Sequence, residues 1–231
     1  MVEQSKKTGL IINVLIAISA VLAMTMEFFG HRTVYMVFKP LTTILVISLL
    51  FIIPQKQHTK FKSIMISALL FCLMGDILLL FSAYFVFGLA AFLVAHILFV
   101  IGFIQLKGFN GSWAAFIILY GIGTALFFWL RPGLGQFMIP VAAYVVVICF
   151  MAWQGIGLFL KEKRTEFLWI AIAVLLFMFS DTMIAISKFK SDFDYSSIII
   201  LGTYWLSIGL IANAARNIIL KTDVREEKQS V

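Results

Sequence analysis

The feature that most constrains this chain is a recurring apolar run. A helix crosses the hydrocarbon core of a membrane with roughly 20 mostly apolar residues. Runs of that kind cover approximately residues 9–29, 34–53, 61–82, 84–105, 112–130, 136–160, 166–189 and 196–220. Lipid offers no partners for open backbone groups, so helices are the element this pattern selects. The expected fold is all-α: a polytopic membrane bundle of eight transmembrane helices, forming a single transmembrane domain over residues 1–231. The first run follows Lys6 and Lys7, as a signal peptide would, but it exceeds the 7–15 residues of a signal core and reads as an uncleaved first span.

The breaks have physical causes. Gly30-His31-Arg32-Thr33 is polar, and Pro54-Gln55-Lys56-Gln57-His58-Thr59-Lys60 opens with a helix-stopping proline. Lys107-Gly108-Phe109-Asn110-Gly111 and Arg131-Pro132-Gly133-Leu134-Gly135 carry turn chemistry. Lys161-Glu162-Lys163-Arg164 and Lys190-Ser191-Asp192-Phe193-Asp194 are charged. Ser82-Ala83-Tyr84 is the shortest break and predicts a tight hairpin between the third and fourth spans.

Composition settles which solvent the chain meets. It is 62% hydrophobic and 13% charged, where a soluble domain has about 25% charged residues. That excludes a cytosolic enzyme, a disordered chain and a disulfide scaffold. The net charge of +7 reflects topology and carries no nucleic-acid reading. Thirteen of the 18 lysines and arginines fall on the side of the N-terminus, the even-numbered loops and the C-terminus, and four on the other; Lys39 lies within the second span. The positive-inside rule then puts both termini in the cytoplasm. The expected location is a bacterial inner (plasma) membrane. Cys72 and Cys149 lie in apolar runs and read as small buried hydrophobes.

Ionisable residues inside spans are expensive and mark function by default. They are Glu27, Lys39, Asp76, His96 and Asp181, joined by the polar tips of Tyr144 and Tyr204. Glu27 is near a span end and reads as a snorkelling residue. Lys39 shares a helix face with Tyr35, Thr42 and Thr43 at i−4, i+3 and i+4. Counted in from the span ends, Lys39, Asp76, Asp181, Tyr144 and Tyr204 share a stratum roughly 8–12 Å below the outer surface, with His96 nearer the midplane. Lys39 balances one of the two aspartates, which leaves one carboxyl as a neutral acid beside an ionised one, the arrangement of an acid–base pair.

A faint repeat accompanies these residues. Leu70-Phe71-Cys72-Leu73-Met74-Gly75-Asp76 is echoed by Leu175-Leu176-Phe177-Met178-Phe179-Ser180-Asp181, and Phe38-Lys39-Pro40 by Met138-Ile139-Pro140. The offsets of 105 and 100 residues predict a 4+4 parallel pseudo-repeat, facing Asp76 and Asp181 across the interface of two halves.

No G-x-S-x-G elbow, H-E-x-x-H motif or P-loop occurs. His31 and His58 fall on opposite sides, which excludes a three-histidine zinc site with His96 within one chain. An Asp76–His96–Asp181 metal site lacks an i, i+4 ligand pair and is the weaker reading beside a metal-independent one. A proton-coupled transporter would need polar groups reaching both faces, yet the cytoplasmic halves are apolar apart from Asn13 and Asn213. A non-catalytic lipid-binding membrane protein is the third reading.

The chain resembles the YhhN-like family of integral membrane proteins, whose characterised members are lysoplasmalogenases. The resemblance rests on Lys39-Pro40-Leu41-Thr42-Thr43, Gly75-Asp76 with Leu78-Leu79, Phe87-Gly88 through His96, Pro140 with Tyr144, Ser180-Asp181, and Thr203-Tyr204-Trp205. The sequence departs from the family where Tyr204-Trp205-Leu206-Ser207-Ile208 stands in place of a Tyr-Tyr-x-Ala-Gln pattern, so the glutamine amide is absent. The resemblance implies an ether hydrolase that cleaves the vinyl ether bond of lysoplasmalogens without a cofactor or metal. It implies Asp76 and Asp181 as the catalytic pair, with Lys39, His96, Tyr144, Tyr204, Thr42 and Thr43 binding or orienting substrate. The implied partners are a lysophospholipid substrate and membrane lipid.

Overall fold

The computed structural model describes residues 2–53 and 59–229. The turn Pro54-Gln55-Lys56-Gln57-His58 lies outside the described residues, and with it Lys56 and His58. The described residues are all-α. The helices are α1 (Val2–Phe28), α2 (Arg32–Phe51), α3 (Thr59–Leu78), α4 (Phe85–Lys107), α5 (Trp113–Leu134), α6 (Met138–Glu162), α7 (Thr165–Phe189) and α8 (Ser196–Gln229). Single 3-10 turns, Ser82–Tyr84 and Gly135–Phe137, join α3 to α4 and α5 to α6. Among the described residues, seven stretches are long and apolar enough to cross a membrane. The fifth is the 50-residue stretch Trp113–Glu162, which contains both α5 and α6. The protein is therefore a multi-pass integral membrane protein.

The helix ends follow the turn chemistry, with three corrections. α4 stops at Gly108, whose φ of +74° a side chain rarely adopts, and Ser112 caps α5 by accepting the Ala115 N–H. The first correction is at α3, which ends at Leu78, four residues before the expected boundary. The Leu80 and Phe81 N–H groups bond to Ile77 and Leu78, tightening the chain, and the Arg32 guanidinium donates to the Leu80 carbonyl. Arg32 thus secures the end of a neighbouring helix, and the hairpin is longer than Ser82-Ala83-Tyr84 alone. The second is at Arg131-Pro132-Gly133, which is helical: α5 runs through it to Leu134. Packing of Leu130 and Leu134 against Val141 holds this last turn, and the break comes at Gly135, where φ is +49°. The third concerns α1 and α8, which extend past the apolar runs, because an established helix continues through polar residues.

The helices pair as neighbours in sequence, with α3 against α4, α7 against α8 and α1 against α2 most extensively. Contacts between α2 and α3 recur between α6 and α7, and contacts of α4 with α6 recur as α8 with α2. α1 and α8 pack antiparallel. Phe28 stacks on Tyr195 at one end, Asn13 and Asn213 exchange two amide hydrogen bonds (3.0 and 2.9 Å) lower down, and the Arg216 guanidinium lies against Gly9 at the other end. That end also carries the pairs Lys107–Glu162, Arg164–Glu166 and Lys221–Glu166. One apolar core runs through the bundle, built from residues such as Leu49, Met65, Phe99, Met151, Phe177 and Ile211.

Candidate active site

The polar residues of the spans assemble into two clusters. The first surrounds Asp76, on the last turn of α3 and 1% exposed. Its Oδ2 accepts the Thr43 hydroxyl from α2 (2.5 Å) and the Tyr204 hydroxyl from α8 (2.8 Å). The Trp205 indole N–H donates to the Thr43 oxygen (3.3 Å), so a second α8 side chain fixes the donor. Lys39 lies one turn before Thr43, buried, with its ammonium 5.7 Å from the centre of the Tyr35 ring. Among the described residues Lys39 makes no hydrogen bond or ion pair. A buried ammonium in that condition is costly and must be balanced by a nearby negative group or a ligand.

Thr42 separates from this group. Its hydroxyl meets Ser19 of α1 (2.7 Å) and donates to the Phe38 carbonyl (2.8 Å), so it ties α2 to α1 and does not reach the carboxyl. The expected stripe of Tyr35, Lys39, Thr42 and Thr43 is buried throughout but divides between two neighbours.

The second cluster surrounds Asp181, near the middle of α7. Its Oδ2 accepts the Tyr144 hydroxyl from α6 (2.6 Å) and lies 3.6 Å from Nε2 of His96 on α4. That separation is too long for a hydrogen bond. Both ring nitrogens of His96 are buried without a hydrogen-bond partner. The ring is held by aromatic edges, from Phe177 at 4.5 Å and Tyr144 at 5.3 Å between centroids. Glycine 75 matters here as well: a Cβ at that position would strike the Phe92 ring, so its absence lets α4 press against α3 beside Asp76.

Phe92 and Phe177 stand between the two clusters. Phe92 meets Tyr204 edge-on at 5.5 Å and Phe177 at 6.2 Å, while Phe177 meets both Tyr204 and His96. Asp76 and Asp181 share no hydrogen bond, and each carboxyl is served by its own tyrosine. Among the described residues no group of three His, Cys, Asp or Glu side chains is close enough to hold a metal ion, so Asp76, His96 and Asp181 do not form a ligand set. An apolar cavity opens on the far side of Phe92, between α4, α5, α6 and α7, and Asp181, Tyr144 and Thr182 reach its wall.

The sequence singled out neither Phe92 and Phe177, Ser19, nor Trp205 as a donor. The helical spacing of Phe92 to His96 and of Phe177 to Asp181, four residues each, was the available signal for the aromatic partition.

The sequence profile described as the YhhN family matches residues 34–215, which include every residue of both clusters except Ser19. The chain is similar to lysoplasmalogenase TMEM86A of Bos taurus, 34% identical over 153 residues, covering 64% of this chain and 62% of that protein. It is similar to lysoplasmalogenase TMEM86B of Homo sapiens, 31% identical over 159 residues, covering 68% and 65%. A protein of Mycobacterium bovis named lysoplasmalogenase is 29% identical over 172 residues, covering 71% and 63%. The match thus spans a little under two thirds of each relative's length. No solved structure matches the chain.

Proposed function

This chain belongs to the YhhN family, and from that premise we propose that it is a lysoplasmalogenase, hydrolysing the vinyl ether bond of a lysoplasmenyl phospholipid. The observation that carries the reading is a pair of carboxyls within the spans, Asp76 buried and Asp181 partly so, each aimed by a tyrosine hydroxyl, on either side of an aromatic partition. A vinyl ether needs no nucleophilic side chain. It needs a proton delivered to carbon and a base for water.

The chemistry runs as follows. One carboxyl gives its proton to the alkene carbon remote from oxygen; the π electrons form the new C–H bond and leave an oxocarbenium ion on the carbon bearing oxygen. A carboxylate takes a proton from water as the water oxygen bonds to that carbon. The hemiacetal hydroxyl then gives its proton to the carboxylate left by the first step as the C–O bond to glycerol breaks, and the glycerol oxygen takes the proton that the second carboxyl drew from water, releasing a fatty aldehyde and a glycerophospho-alcohol and restoring both carboxyls. Asp76 and Asp181 supply these roles, and ionised carboxylate near the oxocarbenium stabilises it as in glycosidases. Tyr144, Tyr204 and Thr43 orient the carboxyls. Lys39, which makes no hydrogen bond or ion pair among the described residues, receives the lipid phosphate. His96 holds a polar atom beside Asp181.

Each of α1–α8 crosses the membrane once, with both termini on the cytoplasmic side of a bacterial plasma membrane. The lysine and arginine bias supports this orientation, as does the gathering of Lys107, Arg164, Lys221 and Arg216 at one end of the bundle. The recurring helix pairs support a 4+4 parallel arrangement, in which α3 corresponds to α7 and the pair α2 and α8 to α6 and α4.

The test is aldehyde release from lysoplasmenyl-ethanolamine by the purified protein. Asp76→Asn and Asp181→Asn are each expected to abolish it in a protein that remains folded. Full activity in both variants overturns the assignment.

A further inference from the structure

The cavity beside Asp181 is lined almost wholly by carbon. α4, α5, α6 and α7 all contribute, and the polar side chains on its wall are few. Most of those are already engaged: Thr182 donates to the Met178 carbonyl, Cys149 donates to the Leu119 carbonyl, and Tyr144 donates to Asp181. Among the described residues Oδ1 of Asp181 receives no hydrogen bond. The cavity therefore presents one free polar function, a carboxyl, on an otherwise apolar wall. Behind that carboxyl, off the cavity wall, lies the buried His96 ring, whose Nε2 is 3.6 Å from Oδ2 and whose nitrogens have no hydrogen-bond partner among the described residues. An apolar cavity of this kind excludes water and takes apolar ligands. A ligand matching it is a long hydrocarbon with one functional group at a single point.

The geometry points to this cavity as the compartment for the single aliphatic chain of a lysolipid, with the functional group of that chain held at Asp181. The inference rests on the proposed reaction for the identity of that group. Along α7 the lining runs from Asp181 to Phe189, about 12 Å of helix. Ala185, one turn beyond Asp181 on the same face, is the narrowest side chain on that wall, and Leu126 faces the cavity from α5. These two positions set which chains fit.

The experiment uses the full-length protein and a lysoplasmenyl-ethanolamine whose alkenyl chain carries a photoactivatable diazirine at mid-chain, with the labelled peptides read by mass spectrometry. A diacyl phosphatidylethanolamine with the same diazirine is the second probe, since membrane lipid offers the same hydrocarbon. Label from the lysolipid is expected on the α5 and α7 segments that carry Leu126 and Ala185. Ala185→Phe should cut it by about tenfold or more, whereas Leu126→Ala, which enlarges the compartment and stands in if the first variant does not fold, should retain it for longer-chain probes. Label confined to the lipid-facing surfaces, equal label from the diacyl probe, or label indifferent to both substitutions overturns the inference. Aldehyde release is measured on the same samples. Cavity labelling without aldehyde from the wild-type protein defeats the proposed reaction and leaves the chain compartment standing; aldehyde without cavity labelling does the reverse.

Discussion

Asp76 and Asp181 occupy the third helix of each half of the chain, and each accepts a tyrosine hydroxyl at 2.6–2.8 Å. Their surroundings are opposite. Asp76 is buried, receives a second donor from Thr43 and has the buried Lys39 one turn from that donor. Among the described residues Asp181 has no second hydrogen-bond donor, but it faces an open apolar volume and lies beside the His96 imidazole. The partners also come from corresponding places. Thr43 and Tyr144 lie on the second helix of each half, and Tyr204 and His96 on the fourth helix of the opposite half. In the proposed 4+4 arrangement, one framework is furnished twice: once for charge, once for hydrocarbon. A substrate with a phosphate at one end and a chain at the other needs both.

The comparison can be broken at several points, in decreasing order of effect. Asp181→Asn and Asp76→Asn should each lower aldehyde release by about 10²–10⁴-fold, the span of general acid–base catalysis. If one carboxyl only supports the fold, its variant will lose thermal stability in step with activity; a circular-dichroism melt run beside the assay separates these. Lys39→Met should raise KM for a phosphate-bearing lysolipid while leaving an alkenyl glycerol without phosphate unaffected. Equal loss on both substrates would assign the ammonium to the carboxyl instead. Tyr144→Phe and Tyr204→Phe each remove a hydrogen bond to a buried carboxyl, worth about 1.5–3 kcal/mol, and both should reduce kcat more than KM. Thr43→Val should behave in the same way, whereas Thr42→Val should lower stability by about 1 kcal/mol with kcat retained, because its partners are Ser19 and Phe38.

The smallest effect concerns the loop between α7 and α8. The Asp192 carboxylate accepts hydrogen bonds from Ser187, Ser196 and the Phe193 N–H, which together hold it below the usual carboxylate range. A depressed carboxyl stabilises above its unfolded value, and the contribution disappears as pH falls through the folded one. Protection of the amides of residues 190–196, measured as exchange relative to the unstructured rate at each pH, should therefore fall on acidification, and Asp192→Asn should remove that pH dependence.

The bundle was legible in the sequence because lipid imposes a length on every apolar run. The ends at Gly108 and near Lys163 followed from turn chemistry. What was hidden depended on neighbours. The early stop of α3 is fixed by Arg32 from another helix, and the helical path through Arg131-Pro132-Gly133 by packing of Leu130 and Leu134 on Val141. The site residues were legible as charges out of place, since nothing else accounts for Asp76, Asp181 or Lys39 in apolar helices. Their grouping was not. Helical spacing puts Thr42 and Thr43 on one face with Lys39, yet the 100° between successive residues is enough to turn one toward α1 and the other toward Asp76. The aromatic partition was marked only by the four-residue spacing of Phe92 to His96 and of Phe177 to Asp181, because phenylalanine by itself does not separate a lipid-facing ring from an internal wall.

The antiparallel contact of α1 with α8 also sets an order of manufacture. A ribosome delivers α1 well before α8, so the amide pair Asn13–Asn213 closes only after α8 has been made. Until then Asp76 lacks the Tyr204 hydroxyl and Thr43 lacks the Trp205 N–H. A chain interrupted before α8 would hold the lysine and both aspartates in lipid with that side of the first cluster open, and completion of α8 is the event that closes it.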